Sequence, residues 1–335
     1  MNALERRLLN EFQREFPLVR RPFAVLARVV GASESWVLAT LRRFADGGGV
    51  SRVGAVFRPG SVGASTLAAM AVPETRLSAV ARRVSAHPEV NHNYEREHAL
   101  NLWFVVAAED EEKLGETLTA IEAETELPLI ALPLVADYHI DLGFDLDGAA
   151  KRRADHASSG NSAVRLALVG RDRALVARLQ HGLPLVERPF AALAEAAGWS
   201  GIDGERQVIA RIGEWLDSGV IKRFGVVLRH RVLGYRANAM CVWDLPAPDV
   251  DRLGRALAAE DGVTLCYRRA RAGTRWPYNL YCMLHGRSRV AVESRIALLN
   301  ARHGLAAYPH AVLFSRRAFK QRGARYVEAE EISRG

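Results

Sequence analysis

The sequence predicts an α+β protein made of two tandem copies of one module, a helix-turn-helix (winged helix) followed by a ferredoxin-like βαββαβ unit. Two observations predict it. The first is an internal repeat. Residues 16–31 read FPLVRRPFAVLARVVG and residues 183–198 read LPLVERPFAALAEAAG, with ten of sixteen positions identical. Downstream, GVSRVGAVFR (49–58) answers VIKRFGVVLR (220–229), and NYEREHALNLWFVV (93–106) answers CYRRARAGTRWPYNLYCML (266–284). An offset of 167 residues (183 minus 16) is far too long for a solenoid and marks a duplicated module. Two copies in one chain can pair about a pseudo-twofold axis and build one site from unlike halves. The second observation is that each copy passes from helical spacing to strand alternation in the same order.

In the first copy, Leu4, Leu8, Leu9 and Phe12 share one helix face. Pro22 starts a short second helix that Gly31 stops. Ser33 caps a third, SESWVLATLRRFADGG, which ends at its glycines. A short β segment follows at 52–57, then a strand at 65–72 and a helix at 75–87. VNHNYERE and ALNLWFVVAA form a hairpin, DEEKLGETLTAIEAE a helix and LIALPLVADYHI a last strand. The second copy repeats the order. Its helices are RDRALVARLQ, PFAALAEAAG and GERQVIARIGEWLDSG; its α+β unit is ANAMCVW, PDVDRLGRALAAE, TLCYRRAR, YNLYCML, SRVAVESRIALLNARHG and AAYPHAVLFS. The expected domains are 1–57 and 166–228 (helix-turn-helix), 58–146 and 229–328 (ferredoxin-like), with a polar linker at 147–165.

Composition is that of a soluble globular protein, with 49% hydrophobic and 25% charged residues. No apolar run is long enough to span a bilayer, and MNALERRLLNEF is amphipathic rather than a signal sequence, so no membrane role and a cytoplasmic location are expected. Three cysteines without CxxC spacing exclude a disulfide framework and a zinc site. GxSxG, GxxxxGK[ST] and HExxH are absent. The net charge of +8 suits a nucleic acid or a polyanionic small molecule.

The helix-turn-helix with a ferredoxin-like unit resembles the leucine-responsive regulators (Lrp/AsnC). DNA reading would depend on the start of the third helix. Glu34, Asp203 and Glu205 sit there and carry the wrong sign for phosphates, so DNA binding is not expected and the motif reads as scaffold. The arginines concentrate on the hairpins instead. On one strand face Tyr94 and Arg96 point together, with His98 in phase; Tyr267, Arg269 and Arg271 share a face, or alternatively Cys266, Arg268 and Ala270 do. FSRRAFKQRGARY (314–326) adds further cations. Aromatic rings beside guanidinium forks suit a flat, polycarboxylated ligand.

These hairpins resemble a more specific family, the siroheme decarboxylases, divergent relatives of the same regulators that work as pairs of unlike homologues, sometimes fused. NYEREHALNLWF (93–104) resembles the signature of one partner, while CYRR, WPYNLYCMLHG (276–286) and FSRRAFKQRGARY resemble the other; PLVxRPFAxLA is typical of the family's helix-turn-helix. The resemblance implies removal of the C12 and C18 acetate carboxyl groups of siroheme, giving 12,18-didecarboxysiroheme for heme d1. It implies a carbon–carbon lyase with no cofactor beyond the iron-containing substrate and no resident metal. It also implies an internal pseudo-dimer, with a homo-oligomer and transient contacts to other heme d1 enzymes open. In this frame His98 is the expected proton donor, with Arg96 steering the carboxylate. Tyr94, Tyr267, Arg268, Arg271, Arg275, Trp276 and Tyr278 are expected to hold substrate, with His139 and His310 as weaker candidates. A transcription regulator sensing a small molecule and a non-catalytic tetrapyrrole carrier are the competing readings.

Overall fold

The computed structural model describes residues 1–140, 164–199, 201–229, 234–235 and 237–327. The expected linker falls mostly outside the described residues; where the chain re-enters, Leu166 and Leu168 pack on the helical core.

The helix-turn-helix of the first copy is α1 (Ala3–Glu11), α2 (Pro22–Val30) and α3 (Glu34–Asp46), and that of the second is α6 (Gly170–Leu179), α7 (Pro189–Ala196) and α8 (Gly204–Asp217). Local chemistry sets the boundaries. Pro22 occupies the first turn, where its missing N–H costs nothing, and Gly31 closes α2 at φ 78°. Ser33 Oγ accepts from Trp36 N–H at 3.1 Å and caps α3. All six helices share a single apolar core that includes Phe23, Leu26 and Leu41 from one copy and Phe190, Val208 and Trp215 from the other.

The β segment after each helix-turn-helix has no partner in its own copy, and a lone strand leaves its backbone groups unpaired. The duplicate supplies the partner: β1 (Val50–Phe57) pairs antiparallel with β6 (Ile221–Leu228), Gly54 opposite Gly225, so the pseudo-twofold axis passes between them. Gly225 has no room for a side chain, because a Cβ there would lie 2.3 Å from the Phe12 carbonyl.

The acidic starts of α3 and α8 are held in ion pairs. Arg21 binds Glu34 and, at 2.9 Å, Glu187 of the other copy. Glu205, only 6% exposed, is gripped by Arg20 at 3.3 Å and Arg188 at 2.5 Å. These contacts tie the two helix-turn-helix units to each other.

The α+β units are β2 (Ala64–Met70), α4 (Glu74–Ala86), β3 (Val90–Arg96), β4 (Leu102–Ala108), α5 (Glu111–Thr125) and β5 (Leu129–Ile140), then β7 (Ala237–Trp243), α9 (Ala247–Ala258), β8 (Val263–Arg269), β9 (Leu280–Gly286), α10 (Arg289–His303) and β10 (His310–Gln321). The strand orders β3-β4-β2-β5 and β8-β9-β7-β10 are ferredoxin-like. The two sheets do not merely pack face to face. Each last strand is twelve residues long and serves both copies. The Leu129–Pro133 end of β5 pairs with β2 and the Leu134–Ile140 end with β8. Likewise β10 pairs with β7 over His310–Phe314 and with β3 over Ser315–Gln321. The result is a closed eight-stranded barrel without free edges. The last strand therefore runs past the expected AAYPHAVLFS and takes in all of FSRRAFKQ (314–321).

The helices cover the outside, over one core under α4 and α5 and another under α9 and α10. Cys241, Cys266 and Cys282 lie in the latter as buried free thiols, Cys266 and Cys282 with sulfurs 3.2 Å apart. Among the described residues no single helix is long and apolar enough to cross a membrane.

Candidate active site

Side chains alternate along each strand, so half of them point into the barrel. At one end Trp103, Trp276, Tyr281 and Tyr278 plug it. The Trp103 and Trp276 rings are 4.8 Å apart, and Trp276 Nε1–H donates to Tyr281 Oη at 2.7 Å. Above this plug lies a cavity of about 330 Å³, roofed by the β1/β6 ladder and by the chain from Gln321 to Tyr326.

Among the described residues, five arginines line the cavity (Arg52, Arg96, Arg229, Arg269 and Arg322) and no Asp or Glu does. Arg96 and Arg269 occupy equivalent positions in the two copies and reach across the copy boundary. Arg96 donates to Leu313 O at 3.0 Å, and Arg269 to Leu132 O at 2.7 Å. Each guanidinium lies near the tyrosine two residues before it, at 5.6 Å for Tyr94 and 4.8 Å for Tyr267. Arg52 donates to Ala55 O at 2.8 Å and Arg322 to Pro88 O. Burial pushes the Arg52 guanidinium below its ordinary pKa; Arg322 is lowered by burial and then by neighbouring Arg325. The Nε–H groups of Arg52, Arg229, Arg269 and Arg322 are buried without a hydrogen-bond partner. A guanidinium only donates, so five of them around one cavity suit anionic oxygens.

The remaining lining divides the cavity chemically. Leu67, Val105, Met240, Leu265 and Met283 make an apolar wall. His92 Nδ1 meets Tyr94 Oη at 3.1 Å with the rings stacked, while His285 sits among Asn238 and Thr264. The C-terminal segment is pinned as the remaining wall by Gln180. Its Nε2 donates to Val327 O at 2.6 Å, and its Oε1 accepts from Tyr326 N at 2.8 Å. Tyr326 is buried there and its phenol is pushed up to about 12 by burial.

Of the residues expected from sequence, Tyr94, Arg96 and Tyr267 line the cavity. His98 does not. The strand ends at Arg96, whose N–H turns to Asn101 O at 2.8 Å, and His98 leaves the strand's phase. Its ring packs edge-on against Trp276 at 5.3 Å, outside the plug, and Nδ1 accepts from Leu100 N–H at 3.0 Å. Burial lowers the pKa of this imidazole. Trp276 and Tyr278 belong to the plug rather than to the lining. Arg268 points outward to Asp251 at 3.4 Å, because in β8 it is Arg269 that shares the face of Tyr267. Arg271 is tied to Asp244 and to Leu245 O beyond the strand end, and Arg275 is exposed. His139 lies opposite Cys266 on β5 and does not line the cavity; His310 is exposed, its Nδ1 at 2.9 Å from Tyr308 O.

Sequence reasoning missed His92, His285, Arg52 and Arg229, counted Arg322 only among the cations of 314–326, and left Arg269 out of the site. His92 carries the plainest signal, two residues before Tyr94 on the same strand face. Arg316 and Arg317 face outward, Arg317 pairing with Glu95 at 3.3 Å. Lys320 caps the end of α4 through Ser85 O and His87 O, its ammonium lowered to about 8 by burial and then by Arg322 and Arg325.

The siroheme decarboxylase NirDL-like helix-turn-helix model matches residues 5–50 and 172–222, and the AsnC-like ligand binding domain model matches 61–139 and 232–320. A siroheme decarboxylase NirDL subunit of Paracoccus denitrificans is 45% identical over 98% of both chains. The chain belongs to the siroheme decarboxylase NirDL family. A crystal structure of the siroheme decarboxylase NirDL is 28% identical, with a TM-score of 0.69 over 97% of this chain and 94% of that one. A second, in co-complex with an iron-uroporphyrin III analogue, is 27% identical, with a TM-score of 0.67 over 96% and 93%.

Proposed function

We propose that this chain decarboxylates siroheme, removing the C12 and C18 acetate carboxyl groups to give 12,18-didecarboxysiroheme in heme d1 biosynthesis. The observation that supports the reading is the shared cavity, lined among the described residues by five arginines drawn from both copies and by no carboxylate. Siroheme is flat and bears carboxylates around its rim. Arg52, Arg96, Arg229, Arg269 and Arg322 grip those that stay, and the ring lies against the apolar wall.

In each decarboxylation the bond between the acetate methylene and its carboxyl carbon breaks. Carbon dioxide leaves, the electron pair remains on the methylene carbon and spreads into the macrocycle, and one proton replaces the lost carboxyl group. Leu67, Val105, Met240, Leu265 and Met283 offer a dry setting in which an anionic carboxylate loses more solvation than the dispersed transition state. The role first expected of His98 passes to His92 with Tyr94, the hydrogen-bonded acid pair within the cavity. The iron enters as part of the substrate.

Incubating the purified protein anaerobically with siroheme tests this. Two equivalents of carbon dioxide and a product lighter by two carboxyl losses are expected. Tight binding without turnover would make the protein a tetrapyrrole carrier. Salt-sensitive binding to a specific promoter with siroheme unchanged would make it a regulator.

A further inference from the structure

A line of hydrogen bonds runs from the barrel wall to Arg96. The Thr264 hydroxyl donates to Met283 O at 3.0 Å and lies 2.8 Å from His285 Nδ1. His285 Nε2 lies 2.6 Å from Asn238 Nδ2, and Asn238 Oδ1 lies 3.2 Å from an Arg96 terminal nitrogen. Donor and acceptor rules leave one arrangement. A guanidinium only donates, so Asn238 turns its oxygen to Arg96 and its amide N–H to His285. His285 Nε2 must then accept, and the ring carries its proton on Nδ1, donated to the Thr264 hydroxyl. Thr264 is 9% exposed and Asn238 5%, so water does not readily replace these partners.

We propose that Thr264, His285 and Asn238 are positioning residues that aim Arg96 at a substrate carboxylate. The line starts in the second copy and ends on an arginine of the first. The first copy has no equivalent, since Ala107 and Ser65 stand where His285 and Asn238 stand in the second. The partner arginine, Arg269, is held by the Leu132 carbonyl. The line thus distinguishes one arginine of a symmetric pair, and with it one orientation of the bound ring. This inference rests on the reading of the cavity as a tetrapyrrole site.

Two measurements test it. In protein labelled with ¹⁵N-histidine, the His285 ring should show the Nδ1–H tautomer. Thr264→Val, close in shape, should disturb that signature, and Thr264→Ser should restore it. Asn238→Asp, which accepts from Arg96 and also demands a proton from His285, should place a proton on Nε2. Separately, titration with iron uroporphyrin III should show Thr264→Val weakening binding about tenfold, Thr264→Ser near wild type, and Thr264→Val adding nothing in an Arg96→Met background. An unchanged His285 signature in Thr264→Val overturns the line. A changed signature with unaltered affinity, or additive losses in the double variant, overturns its positioning role. Failure of the wild-type protein to bind the tetrapyrrole overturns the site reading, while the ring signals still judge the line itself.

Discussion

Two adjacent arginines on β8 should behave oppositely when truncated. Arg269 faces the cavity, and its Nε–H is buried and unsatisfied. Arg268 faces outward to Asp251, with side chains 29% and 45% exposed. A charge-assisted hydrogen bond to a carboxylate contributes about 2 kcal/mol. Arg269→Met should therefore weaken tetrapyrrole binding about thirtyfold. Arg269→Lys should recover only part of this, since an ammonium cannot present a planar fork. A half-exposed ion pair contributes about 0.5 kcal/mol or less, so Arg268→Met should leave binding within about twofold of wild type. The assay is absorbance titration with siroheme or iron uroporphyrin III, with thermal melts to show that both variants fold. Equal losses from the two variants, or a loss confined to Arg268→Met, would refute the assignment of the lumen face.

Trp276→Ala should destabilise the protein by about 3–5 kcal/mol, read from denaturant unfolding, because it removes a large ring that is 1% exposed and opens the plug. Gln180→Ala should release the C-terminal wall, seen as faster proteolytic trimming near Tyr326 and weaker tetrapyrrole binding, since Arg322 belongs to that segment. Burial lowers the His98 and His181 imidazoles, with Arg325, Arg178, Arg322 and Arg52 also lowering His181. A lowered imidazole makes the unfolded chain bind more protons. Stability should therefore fall as pH drops below about 6.5, and melting curves of His98→Phe should show a shallower decline. The same variant should keep its turnover, since His98 lies outside the cavity; its loss would return His98 to the chemistry.

Local signals were legible. Pro22, Gly31 and Ser33 act at helix ends through chemistry confined to a few residues, and the repeat announced two modules of one order. Closure of the barrel was not legible, because the register between β5 and β8 or β10 and β3 joins segments more than 100 residues apart. Nor did β10 read as one long strand. Its outward positions carry Arg316 and Arg317, and dense charge there looks like a tail until β3 is known to lie alongside. In the candidate site, alternation put Tyr94, Arg96 and Tyr267 on the strand faces that line the cavity. It failed at His98, where the same two-residue count was carried past the end of the strand. The expectation also named Arg268 and left Arg269 out, although alternation along β8 puts Arg269, not Arg268, on the face of Tyr267. Arg52, Arg229 and Arg322 come from the roof and the C-terminal wall, whose approach to the barrel mouth is purely tertiary.

Duplication explains why the cavity grips symmetrically and yet distinguishes its two sides. Arg96 and Arg269 each cross to a carbonyl of the opposite copy, so neither copy alone forms the clamp. A pair of arginines related by a pseudo-twofold axis suits a disc with carboxylates around its rim, but an exact twofold would accept that disc in two equivalent orientations. The side chains next to the clamp break the equivalence. His92 faces the lumen where the second copy has Leu265, and Asn238 and His285 replace Ser65 and Ala107. On the proposed function, the equal arginines would supply binding and their unequal neighbours direction. Fusing the copies into one chain keeps each unlike neighbour on its own side of the clamp.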